Sequence, residues 1–159
     1  MKLPTHTEVY TELLKRVESQ CDKANRPLIV KGTPLPKLVD YDEWVSFELL
    51  SKMSVPTEKA VAVNDIYDVQ LTLYSKHAEY RKDKSFTAIY KMVDTFNPIF
   101  NQMSFYIKTS CIRFEESKIV HMDLRSLSDF AKAIYQNSPP MQTLAAVIIN
   151  QGTIIDTKE

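Results

Sequence analysis

In "KIVHMDL", His121 and Asp123 stand two apart. On an extended strand that spacing puts an imidazole and a carboxylate on one face, where they can share a proton or a metal ion. A metal site needs three or four ligands, and no other His or Cys lies near in sequence, so the pair reads as strand residues. In "FEESK", Glu116 and Lys118 make half of the acid–lysine pattern of metal-dependent nucleases. Their segment reads as a hairpin turn, where charges are simply solvated. Asp40, Asp42 and Glu43 in "VDYDEW" offer oxygen ligands to a hard cation, without the glycine and closing glutamate of an EF-hand loop. They read as a hydrated loop or as the acidic side of a contact with a basic partner. Trp44 beside them reads as core. Tyr74, Lys76, His77, Tyr80, Arg81, Lys82 and Lys84 mix cations with rings, the combination of a single-stranded nucleic-acid surface. Glu79 and Asp83 dilute that charge, so the stretch reads as an exposed strand-to-helix connection. No catalytic, metal or cofactor residue is assigned, and the chain is not read as an enzyme.

Composition narrows the classes further. Twenty basic residues balance twenty acidic ones, so no overall field draws the chain to nucleic acid or to an anionic membrane. Cys21 and Cys111 lie ninety positions apart with no CxxC, which argues against a disulfide scaffold or a zinc ribbon. The polar start lacks the apolar core of a signal peptide, and no apolar run reaches membrane-spanning length. The expectation is a soluble chain made in the cytoplasm. Gly32 and Gly152 are the only glycines, too few for a phosphate-cradling loop or a dinucleotide fingerprint.

The elements that must position these residues follow from periodicity. Thr5 with Glu8 predicts a capping box, and Val9, Tyr10, Leu13, Leu14, Val17 and Cys21 recur at helical spacing over 6–23. "LIVKG" reads as a short strand, 33–42 as an irregular loop, and "EWVSFELL" as a strand with Val45, Phe47 and Leu49 on one face. A long connection follows, with 60–63 extended. Tyr67, Val69, Leu71 and Leu73 alternate with polar residues as a half-buried strand. Phe86, Ile89, Tyr90, Val93 and Phe96 form the stripe of a helix ended by Asn97 and Pro98. "QMSFYIKTSCIRF" and "KIVHMDL" then read as a hairpin around "EESK", with Phe114 opposite Ile119. That register puts Phe105, Ile107, Thr109 and Cys111 on one face with Val120, Met122 and Leu124. A helix over 126–136 opens at Ser126, and "TLAAVIINQGTIID" reads as two strands joined by a turn at Asn150 to Gly152. The sum is a single α+β domain over 1–159, with a mainly antiparallel or mixed sheet and about three helices packed on it.

An N-terminal helix, the strand "YDVQLTLYS", a short crossover, the helix "SFTAIYKMVDTF" and a hairpin together resemble the bacteriophage tail terminator, or tail-completion, family. The likeness covers about residues 60–124. It implies a non-enzymatic virion assembly protein, made in the host cytoplasm and carried into the virion tail or neck. Copies would form a homo-oligomeric ring, hexameric in such proteins, that caps the tail tube protein and presents a surface to head–tail connector or neck proteins. No membrane, cofactor or sequence-specific nucleic acid is implied. A ring needs one patch to meet a different patch on its neighbour, and charged loops can set that register. Asp40, Asp42 and Glu43 on one side, with Lys76, His77, Arg81, Lys82 and Lys84 on the other, are the candidates for that contact. Another neck or connector protein is the related alternative. A small enzyme and a nucleic-acid-binding module are the alternatives from other classes.

Overall fold

In the computed structural model, which describes residues 3–34, 37–38, 41–54, 63–75, 82–121, 127–136 and 144–156, Thr5 and Glu8 form the capping box that their spacing predicts. The Glu8 amide donates to Thr5 Oγ1 at 3.1 Å and the Thr5 amide donates to Glu8 Oε1 at 3.0 Å. Helix α1, His6–Ala24, buries Val9, Leu13, Val17 and Cys21 on one stripe. It closes at Asn25 in the left-handed conformation, with φ of 56°, and the Asn25 amide donates back to Asp22 and Cys21 carbonyls.

Strands β1, Leu28–Val30, β2, Glu43–Ser54, and β3, Val63–Ser75, come next, followed by α2, Lys82–Phe96, and a 3₁₀ turn over Asn97–Ile99. Strands β4, Ser104–Ile107, β5, Ser110–Phe114, and β6, Lys118–His121, precede α3, Asp129–Gln136, and the final strand β7, Leu144–Asp156. One mixed, curled sheet holds all seven strands in the order β1-β2-β3-β7-β5-β4, with β6 also pairing β7. Only β1 and β2 run parallel; the other pairings are antiparallel. The α+β class and the mixed sheet are as expected.

Alternation sorts side chains to the two faces of the sheet. On one face Val45, Phe47, Val69, Leu71, Leu73, Ala146 and Ile148 join the stripes of α1 and of α2, the latter Ile89, Met92, Val93 and Phe96. On the other face Trp44 stacks on Tyr74 at 5.7 Å between ring centroids, and Ile29, Ala145, Val147 and α3's Ala131 and Ile134 close around them. Trp44 is therefore core, as read. Strand β3 is not half-buried as its alternation predicts. Its polar residues Asp68 and Thr72 are buried as well, because β3 is central and α3 packs against the face that they share with Tyr74. Tyr90 also leaves its predicted place: it sits at the edge of the stripe, about half exposed, with its ring 5.1 Å from that of His121.

The largest correction concerns the hairpin around "EESK". The chain turns back earlier, at Lys108 and Thr109, and Ile107 pairs with Ser110 while Phe105 pairs with Ile112. Beyond Phe114 it does not turn. It runs on along β7, with Phe114 opposite Gly152 and Lys118 opposite Ile149. Three residues on one strand face two on the other, so "EES" is a β-bulge in what is nearly one long strand. Side chains fix the bulge: the Ser117 amide donates to Asn101 Oδ1 at 2.8 Å, and buried Asn150 donates through Nδ2 to Ser117 Oγ at 2.6 Å. Consequently Phe105 and Ile107 share the first face with Ile112, Phe114 and Ile119, while Cys111 and Val120 fall on the other.

Nor does the chain turn at Asn150 to Gly152; β7 runs unbroken through all three. Gly152 is there because Phe114 lies over it. A Cβ on Gly152 would stand 2.6 Å from a carbon of that ring. Helix α3 begins at Asp129 rather than 126, and Ser128 caps it by accepting from the Ala131 amide at 3.1 Å. The predicted extension at 60–63 lies outside the described residues except for Val63, the first residue of β3.

Candidate functional site

Glu43 opens β2, and its partner in the ladder is Ser75, the last residue of β3. Glu43 and Ser75, the described residues that border the acidic cluster and the basic segment, thus lie side by side at one end of the sheet.

Glu43 is also engaged within the chain. Arg26, just past α1, reaches it at 2.5 Å, and the same guanidinium donates to the carbonyls of Ala24 and Asn25 at 2.9 and 3.3 Å. Arg26 therefore ties the C-terminus of α1, where carbonyls and the helix dipole favour a cation, to the first residue of β2. Sequence reasoning missed this residue, since nothing local to Arg26 marks its partner. Asp42 is exposed beside the pair. Lys82 and Lys84 lie in the first turn of α2; Asp40, Lys76, His77 and Arg81 lie outside the described residues.

The rejected chemistry gains nothing from the fold. His121 projects toward α2, and Cys111 lies on the opposite face of the sheet, so they cannot form a nucleophile–base pair. Asp123 lies outside the described residues. Glu116 and Lys118 sit at the bulge and its exit, exposed. Among the described residues no three His, Cys, Asp or Glu side chains gather as a metal site, and no helix is long and apolar enough to cross a membrane.

One imidazole has a partner that the sequence concealed. His6, at the start of α1, places Nδ1 2.9 Å from the hydroxyl of buried Tyr67, and the two rings meet edge to face at 5.8 Å. Sixty-one positions separate them in the chain, and no local pattern predicts the contact. Thr7, Tyr10, Leu49 and Ser51 complete a shallow recess around this pair. The hydrogen bond and ring contact anchor the first turn of α1 to β3.

Elsewhere charge serves placement. Lys108, in the β4–β5 turn, meets Glu8 at 2.5 Å, and this bond, with that from the Thr5 amide, holds the Glu8 carboxyl at about 2 instead of 4.5. Burial pushes the Cys21 thiol up to about 12, which leaves it protonated and unreactive at neutral pH. Tyr74's phenol is likewise pushed up by burial; it donates to the Ala131 carbonyl at 3.2 Å and lies 3.2 Å from Ser46 Oγ.

Comparison with known proteins adds no relative: no family model matches the chain, and no curated protein matches it.

Proposed function

We propose that the protein is a non-enzymatic assembly subunit, a phage tail terminator whose copies form a ring that caps the tail tube and joins it to the head. The observation that carries this reading is the path from β3 through α2 into a hairpin, which supports the resemblance although that hairpin is β4–β5 and not the one around "EESK". Asp42, exposed beside Glu43 at the head of β2, supplies an acidic point for the register of the ring.

Native mass spectrometry and negative-stain imaging test the reading, with the protein alone and with the tail tube protein. The expected result is a hexameric ring that ends tube growth. A strict monomer in both conditions overturns the ring; a ring that ignores the tube protein moves the chain to another neck or connector role. Asp42→Lys should weaken the ring, and Lys84→Glu in the same chain should restore it if the two charges meet between copies.

A further inference from the structure

Beside this proposed contact lies a second surface, on the exposed flank of α1, that stands whether or not a ring forms. Here α1 and the segment from the 3₁₀ turn into β4 enclose an open groove of about 380 Å³. Its apolar floor is Pro98, Ile99, Met103 and Phe105, and Met103 is 42% exposed there. Its α1 wall carries Glu12, Lys15, Arg16, Ser19, Gln20 and Lys23.

Internal bonds use some of that wall. Arg16 lies over the Phe105 ring, 3.8 Å from its centroid, and donates to Glu12 at 3.0 Å; Gln20 donates to the Thr95 carbonyl at 3.2 Å. These contacts hold the two sides of the groove together. Lys15 and Lys23 are left without an anion among the described residues, and the only carboxylate in the lining, Glu12, is already paired with Arg16. Glu18 and Asp22 fall on the neighbouring stripe of the helix, outside the lining.

The geometry points to a docking groove for an acidic segment of another protein, bound in extended form with an apolar side chain on Met103. Lys15 and Lys23 are eight residues apart, about 12 Å along the helix axis, too far to converge on one small anion. An extended chain rises about 3.3 Å per residue and alternates its side chains, so acids four positions apart, about 13 Å, lie on one face and reach both lysines. The residue midway between them then meets the apolar floor. A two-fold pairing of two grooves would set lysines against lysines, which disfavours that pairing of two copies.

The test uses the full chain and a fluorescein-labelled peptide carrying two glutamates four positions apart with a leucine midway between them. Binding is read by anisotropy. Binding should weaken at least fivefold, about 1 kcal/mol, for the Lys15→Glu/Lys23→Glu variant and for a peptide with glutamines in place of the acids. Met103→Ser should weaken the leucine peptide and leave a serine version unchanged. Circular dichroism confirms that these exposed substitutions leave the fold intact. No binding up to about 1 mM, or binding indifferent to the lysines, overturns the proposal. A change of oligomeric mass caused by Lys15→Glu/Lys23→Glu in the absence of peptide also overturns it, because the groove would then belong to a copy of the chain.

Discussion

Replacing Gly152 by alanine tests the bulge and the unbroken β7 together. The new Cβ would stand 2.6 and 2.8 Å from two carbons of the Phe114 ring and 3.0 Å from Ile112 Cδ1, inside any normal contact. The ring cannot swing away. Phe114 is 2% exposed and is hemmed by Phe100 and Phe105, with ring centroids at 5.0 and 6.1 Å. Overpacking a core of this kind costs about 1–3 kcal/mol, and the clamped ring places the clash at the upper end. Alanine also narrows the unfolded ensemble, which offsets about 0.5–1 kcal/mol. The net loss should be about 2 kcal/mol, or about 4–8 °C in Tm for a chain of this length. Phe114→Leu alone should also destabilise, by opening space. Combined with Gly152→Ala it should cost about 1–2 kcal/mol less than the sum, since leucine vacates the volume that the new methyl enters. Urea denaturation of the four proteins measures the cycle. A neutral Gly152→Ala, or losses that simply add, would refute the packing of Phe114 over Gly152. Additive losses are what a turn at Gly152 would give.

Three further outcomes follow from named contacts. Glu8's carboxyl sits below its ordinary value in the folded state, so its contribution is complete above about pH 4.5 and is lost as pH falls toward 2. Lys108→Gln should move the Glu8 titration, followed by carboxyl NMR, back toward 4.5. Tyr74→Phe should cost about 1–2 kcal/mol in urea and speed amide exchange in α3 more than in α1, because the lost hydroxyl bonds the Ala131 carbonyl. Cys21 should resist a thiol reagent at pH 8 in the native protein and react at once in denaturant.

Where the fold was legible, the signal was periodic and local. The capping box at Thr5, the stripe of α1 and the strand signalled by β3's alternation each lie within one element, and each of these elements appears in the structure, although β3 is buried on both faces. The errors cluster at turns. With only two glycines in the chain, the reader expects turns at glycine or at charged clusters. Instead Gln102 and Lys108 take left-handed dihedrals, with φ of 57° and 55°, where glycine is the usual choice. The turn at Lys108 was therefore invisible, and "EESK" and Gly152 each drew a turn that the chain does not make. Only the cross-strand partner distinguishes a bulge from a turn: Ser117 needs Asn101 and Asn150, and Gly152 needs Phe114. Those pairings are tertiary facts, as is the approach of Glu43 to Ser75.

The distribution of ion pairs gives the balanced composition a structural meaning. Glu8–Lys108 ties the start of α1 to the β4–β5 turn, and Arg26–Glu43 ties its end to β2, while Glu12–Arg16 lies along the helix over Phe105. Exposed pairs of this sort add little stability, so their main effect is to fix where α1 lies on the sheet. Each also removes a carboxylate from the charge available to partners. Lys15 and Lys23, which face the groove without such a pair, then set a local positive field that the zero net charge of the whole chain conceals.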